Sequence, residues 1–433
     1  MKRCNKGTKH LTTVGACLGV VVGGTALLHG QTSDSTVVGT NKLEKLEKEN
    51  QDLRKRLDVL EAMAEKEGLL PSGTKGDPPV AALSEINLSG FVTTSFFHDS
   101  SQPPASMGHI SPGYLWNRVN NSFSLNKVKI TLASPQVQNN GDKFDAGFRV
   151  SLIAGQDAPI VNTKSGITGF DLVREAFVEF NVPIGTGLDV RIGELISLLN
   201  YESGDGGAVN ANFSQGFQWF FTGNPPAAGV QLGYKLTDAL SLTFRVQNGM
   251  YAGPIDNNSS KTFMGAIGIK PMDKLWFSLI GFGGREDAGF TQSLWGGSLL
   301  GGWQATDELG FGTELDYFTF HNPSGFVPPG DSPVWSTGLW VTYDFTKKVG
   351  LALRGEFLSD AHGVDASGGA LGFLNPPGKD QDLTSLALTL NYKPMPTIKI
   401  QPEIRFDHTS FSGGFVPGKQ NRVVYGAGVS YLF

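Results

Sequence analysis

Phe144-Asp145-Ala146-Gly147-Phe148-Arg149-Val150-Ser151-Leu152 decides the fold. In an extended chain successive side chains point to opposite faces. Phe144, Ala146, Phe148, Val150 and Leu152 therefore share one side, and Asp145, Gly147, Arg149 and Ser151 the other. The same alternation returns at 240–247 and 398–407, and residues 86–433 divide into sixteen such segments of about nine to thirteen residues. Strands of a soluble sandwich are usually about five or six residues long, whereas a tilted strand that crosses a bilayer takes about nine to eleven. The segments have the longer length, so one stripe is expected in hydrocarbon and the other around water.

The connections give an independent signal. Short ones (183–187, 236–239, 270–274, 305–308, 346–348, 393–397) alternate with long polar ones (98–121, 155–169, 197–227, 247–261, 285–292, 320–332, 359–379, 408–420), and the first turn, 134–142, is longer than the others on its side. This predicts an all-β fold: a 16-stranded antiparallel transmembrane β-barrel with short periplasmic turns and long external loops. An even strand count puts both ends of the sheet on the periplasmic side. An open edge in lipid would leave peptide groups unpaired at several kcal/mol each, so the first and last strands must join. The last segment carries Val423, Tyr425, Ala427, Val429, Tyr431 and the terminal Phe433 on one face. Tyr234, Trp303, Tyr343, Phe345 and Tyr392 beside short turns, with Trp295, Phe320 and Phe406 nearer the long loops, are expected in interfacial girdles facing the outer-membrane lipid.

Composition agrees. Of 433 residues 57 are glycine, about 13% against a usual level of about 7%, and only 17% are charged. A collagen, a long coiled coil and a disordered chain are excluded. The formal charge of −5 argues against nucleic acid as a partner. Residues 1–30 read as a signal peptide: Lys2, Arg3, Lys6 and Lys9 precede an apolar run over 11–28. Cys4 and Cys17 both lie in it, so the mature chain holds no thiol, and loss of those four cations takes the charge to −9.

Residues 41–68 carry a heptad seam, Leu43, Leu46, Asn50, Leu53, Leu57 and Leu60, continued by Ala64 and Glu67. It predicts a periplasmic coiled-coil helix that draws copies together, with Asn50 fixing the register. A Pro/Gly linker, 69–85, follows, and the barrel occupies 86–433. No metal or cofactor is expected. His98, His109, His321, His362 and His408 all fall in loops or at rims, none in a metal-binding spacing, which argues against an enzyme.

Residues 170–180 (Phe-Asp-Leu-Val-Arg-Glu-Ala-Phe-Val-Glu-Phe), Pro183-Ile184-Gly185, Leu188-Asp189-Val190-Arg191-Ile192-Gly193, Asn200-Tyr201-Glu202 and Val246-Gln247-Asn248-Gly249 resemble the β-barrel porins of the OmpL-like group. The helix ahead of the barrel also resembles phosphate-selective and sugar-selective porins. The resemblance implies passive diffusion of small hydrophilic solutes or ions through a water-filled pore. It also implies a C-terminal Phe433 read by the outer-membrane assembly machinery, and a homo-oligomer, a trimer before a dimer. The competing reading is a surface adhesin or a structural barrel without an open pore.

Selectivity belongs to the inward face, because sixteen strands leave a lumen too wide for side chains to fill. Arg149, Arg191, Arg245 and Arg354 fall on polar stripes near mid-height, with Lys127 and Lys129 at similar depth. They are expected to form a basic wall. Opposite it the longest loop, 197–227, with Glu202, Asp205, Asn210 and Asn212, is expected to fold inward as an eyelet. Glu175, Glu179, Asp189, Glu314, Asp316, Glu356, Glu403 and Asp407 share the inward stripes, so ladders of opposite charge are the alternative. Deleting residues 40–68 is expected to abolish the oligomer seen by crosslinking; an undiminished oligomer would remove the helix from assembly.

Overall fold

The computed structural model describes residues 86–433 apart from 140, 163–169, 253, 254, 257, 287–291, 323–329, 366–371 and 377, and before them only 48, 51, 52, 55 and 56. Those five are helical and exposed. The signal segment, the linker and the seam residues Leu43, Leu46, Asn50, Leu53, Leu57 and Leu60 lie outside the described residues.

Among the described residues sixteen strands form the sheet. They are β1 (Asn87–Asp99), β2 (Ser122–Ala133), β3 (Asp145–Ala154), β4 (Val173–Val182), β5 (Leu188–Leu195), β6 (Ala227–Lys235), β7 (Leu240–Gln247) and β8 (Thr262–Met272), then β9 (Leu275–Arg285), β10 (Ser293–Gln304), β11 (Leu309–His321), β12 (Asp331–Asp344), β13 (Val349–Asp360), β14 (Gln381–Met395), β15 (Ile398–Thr409) and β16 (Asn421–Leu432). Each pairs with its sequence neighbours, and β1 closes on β16 from Phe91 opposite Leu432 to Asp99 opposite Val424. Gly90 and Phe433 add reciprocal backbone bonds of 2.9 and 3.0 Å. Short and long connections alternate around the ring as the turn pattern predicts, so both ends of the sheet lie on the short-turn rim.

The apolar stripes face outward. Ile130, Leu132, Leu152, Phe244, Leu279, Leu339 and Ile404 are exposed, while Lys129, Thr131, Ser151, Arg245 and Glu403 between them are buried. Trp303, Tyr343, Phe345 and Tyr392 are exposed beside the short turns, Trp295 and Phe406 toward the long loops. Phe320 departs from the expected girdle. It pairs with Leu294 and Ser332, both buried, and packs inside the barrel. It shares its face with Glu314, Asp316 and Phe318, two residues apart along β11, so strand parity carries it inward.

The inward stripe is not polar throughout. Toward the long-loop rim Met264, Phe282, Phe318, Val334, Leu358 and Leu383 point inward and are buried against Phe217, Phe221, Phe373 and Phe415 of the loops. The loops fold into the barrel and bring apolar side chains of their own, so this half of the lumen holds a hydrophobic core. Burial of each such side chain is worth about 1.5–3 kcal/mol.

Four register shifts interrupt the ladders among the described residues, two of them beside short turns, in β8 and β14, and two within the wall. Thr93 pairs with Lys127 and Thr94 with Leu125, which leaves Asn126 as the extra residue in β2. Ser151 pairs with Glu175 and Leu152 with Val173, which leaves Arg174 extra in β4. At each of these two bulges, in β2 and β4, two consecutive polar side chains turn inward, as an unpaired residue allows. Gly193 of β5 has φ +146°, and a Cβ there would strike the Ala176 carbonyl oxygen and stand 2.7 Å from Phe177 Cα. Gly193→Ala is expected to cost about 1–3 kcal/mol, measured as a lower unfolding midpoint by heat-modifiable gel mobility.

Candidate functional site

Residues 196–226 leave β5 at the long-loop rim and fold into the lumen, where a 3-10 turn (Gly206–Ala208) and a short helix (Phe217–Phe221) shape them. The wall residues that hold this loop come from strands far along the chain. Tyr201 N–H donates to Glu314 Oε2 of β11 at 2.7 Å. Gln218 and Thr222 donate to Asp316 at 2.7 and 2.6 Å. Phe213 N–H donates to Glu403 of β15 at 2.8 Å, and Arg405 donates to Gln215 O at 2.7 Å. Lys399 Nζ reaches the Gly207 and Asn210 carbonyls at 2.8 and 2.6 Å. Tyr201 also lies between the rings of Trp340 and Trp276, at centroid distances of 4.6 and 6.2 Å. It rests on Gly312, where a Cβ would overlap its ring.

The expected site residues separate into two groups. Lys129, Arg149, Arg191 and Asp205 border one cavity of about 600 Å³ on the β1–β5 side. There Lys129 Nζ meets Asp205 Oδ2 at 2.6 Å, Arg149 meets Glu175 at 2.7 Å, and Arg191 meets Glu179 at 2.7 Å and Asp189 at 3.2 Å. Burial opposes charge on Asp205, but Lys129 and Arg174 outweigh it and hold the carboxyl below its ordinary value. It is therefore ionised at neutral pH.

The other group is enclosed. Arg354 of β13 is paired with Glu202 at 3.0 Å and Glu356 at 3.1 Å, and it donates to the Ser214 carbonyl. Arg245 of β7 is held by Gln231 at 2.6 Å and the Ile196 carbonyl at 2.8 Å. Lys127 sits 3.3 Å from the Trp116 ring centroid and 3.9 Å from Asp157. Asn210 braces the loop to itself through Ser203 and Gln215, and Asn212 ties it to Thr389 at 2.8 Å. Arg245, Arg354 and Lys127 thus do not join Arg149 and Arg191 in one continuous wall: the inward loop covers the first two, and Trp116 and Asp157 of neighbouring loops enclose Lys127.

Arg174 was not among the expected site residues, yet it borders the same cavity, with Nε 3.8 Å from Asp205 Oδ1. Its signal in the sequence is the doublet Arg174-Glu175, two consecutive charges in a strand that otherwise alternates. Among the described residues no His, Cys, Asp or Glu side chains group as a metal ligand set.

Residues 85–433 match the family described as "Putative beta-barrel porin-2, OmpL-like". The chain belongs to this family. Family and fold together make the porin an outer-membrane channel for solutes. Among solved structures, it is similar to an anion-selective porin from Comamonas acidovorans at 11% identity and a TM-score of 0.53, covering 80% of this chain and 99% of that one. The outer membrane channel DcaP of Acinetobacter baumannii matches at 14% identity and a TM-score of 0.50, with 82% and 99% covered. OmpT of Vibrio cholerae in a trimer form matches at 13% and 0.51, with 80% and 99% covered. These likenesses speak for the fold. No curated protein sequence matches the porin.

Removing one partner of an enclosed ion pair leaves the other charge uncompensated, at about 3–5 kcal/mol. Arg354→Met, which strands Glu202 and Glu356, is therefore expected to lower the urea midpoint of the folded barrel. Lys274→Met, at the exposed pair with Asp307, should leave it nearly unchanged.

Proposed function

We propose that small hydrophilic solutes cross the porin by passive diffusion along the wall formed by β2–β5, with the folded-in loop 196–226 as the narrowing element. The observation that carries this is an asymmetry of exposure at the cavity. The Arg149 and Arg191 side chains are 43% and 35% exposed, against 7% and 19% for the partners Glu175 and Glu179. The guanidinium groups face the water and the carboxylates stand behind them. A solute in the cavity meets a positive field, which raises the local concentration of anions.

The rest of the molecule serves that pathway. The short-turn rim faces the periplasm and the long loops face outward, the exposed aromatic residues sit at the lipid interfaces, and Phe433 marks the barrel for the assembly machinery. Residues 1–30 are removed on export, and the heptad seam of residues 41–68 draws three copies together.

The test is a planar bilayer with purified porin under a potassium chloride gradient. Stepwise conductance with an anion-selective reversal potential is expected. Arg149→Glu with Arg191→Glu should move that potential toward cations. An unchanged potential would overturn the role of this wall, and a silent bilayer would favour an adhesin or a structural barrel.

A further inference from the structure

A second cavity, of about 440 Å³, lies on the long-loop side of the inward loop. Ile160, Trp219, Phe220, Tyr251 and Phe320 give it an apolar and aromatic side, and Asn224 and the single carboxylate of Asp365 stand among its polar lining. The cavity on the short-turn side is lined instead by Lys129, Arg149, Arg191 and their acidic partners. Arg174 borders both. It is held in place by a 2.7 Å bond from Nη1 to the Val161 carbonyl and by Asp205. The inward loop closes on it from the other side. A Cβ on Gly204 would stand 2.7 Å from the Trp219 ring and 2.8 Å from Arg174 Nη2. An outer chamber rich in aromatic side chains with one acid, Asp365, the guanidinium of Arg174, and an inner chamber where Arg149 and Arg191 stand in front of their acidic partners therefore follow one another.

We infer that the porin favours amphipathic organic anions, of which an aromatic carboxylate is the simplest, and that Arg174 is the residue that passes them from the outer chamber to the inner one. The inference rests on the channel reading above. The ring of such a solute finds apolar and π surface in the outer chamber. Its carboxylate finds at the base a planar guanidinium suited to oxygen pairs, and then the half-exposed Arg149 and Arg191. An inorganic anion gains only the second half of this, and a neutral aromatic only the first. The bulge in β4 turns Arg174 inward to the boundary of the two cavities, since the residue after it, Glu175, also turns inward to pair with Arg149.

The measurement is the permeability ratio of benzoate to acetate, from reversal potentials between their potassium salts at about pH 8, where both are ionised. A featureless aqueous pore passes the smaller acetate faster. The unaltered porin is expected to pass benzoate faster. Phe320→Ser should bring the ratio below one while acetate still crosses. Arg174→Gln should lower both anions relative to potassium by about tenfold, the value of one charge-assisted hydrogen bond, and Arg174→Lys should recover most of that. Heat-modifiable mobility reports whether each variant is folded. If Arg174→Gln is not, the unaltered porin and Phe320→Ser decide alone. Acetate ahead of benzoate in the unaltered porin, or a ratio indifferent to Phe320, would overturn the inference with the channel intact. Absence of any conductance would instead count against the channel reading itself.

Discussion

A strand in hydrocarbon has no water to satisfy its peptide groups, and everything else in this porin follows from that. The sixteen ladders must join into a ring, and a ring of that size encloses more space than the inward side chains of its own strands can occupy. The chain solves the second problem with its loops. Residues 196–226 enter the lumen and bring backbone groups that need partners, so the wall supplies carboxylates to loop N–H groups and cationic side chains to loop carbonyls. Glu314 and Glu403 do the first, Arg354, Lys399 and Arg405 the second.

This division explains why inward charges serve two purposes. Where the loop presses on the wall, as at Arg354 and Glu202, the charges are sealed and act as structural ties. Where it stands away, over β3–β5, ladders such as Arg149 with Glu175 and Arg191 with Glu179 keep a wetted guanidinium face. A cross-strand pair is thus compatible with a field in the lumen when the two partners differ in depth.

The barrel was readable because its signals are local. A period of two, strand lengths near ten residues and the long-short rhythm of connections are set by neighbours in sequence, and the observed turns at 183–187, 236–239 and 305–308 coincide with those expected. The inward fold of the longest loop was also expected from its length and its glycine and phenylalanine content. What escaped was set by tertiary contact. Phe320 looked like a girdle residue because strand-end aromatics usually are, but its parity places it beside Phe318 in a core that exists only once the loops are inside. Lys127 and Arg354 share the inward stripes with Lys129 and Arg149, and the sequence does not say which part of the wall the loops cover. Arg174 was hidden by a rule that counts one side chain in two as inward, a rule that a bulge breaks.

The inward loop is tied to strands that are made last. Its partners on β13, β14 and β15 stand some 140 to 190 residues further along the chain, a separation that makes such contacts slow to form. Until those strands are in place, Glu202 has no Arg354 and the Phe213 amide has no Glu403. The filter of this protein is therefore completed by its carboxy-terminal quarter. Closure of the ring and completion of the filter depend on the same carboxy-terminal strands, so the wall and its sieve are finished together.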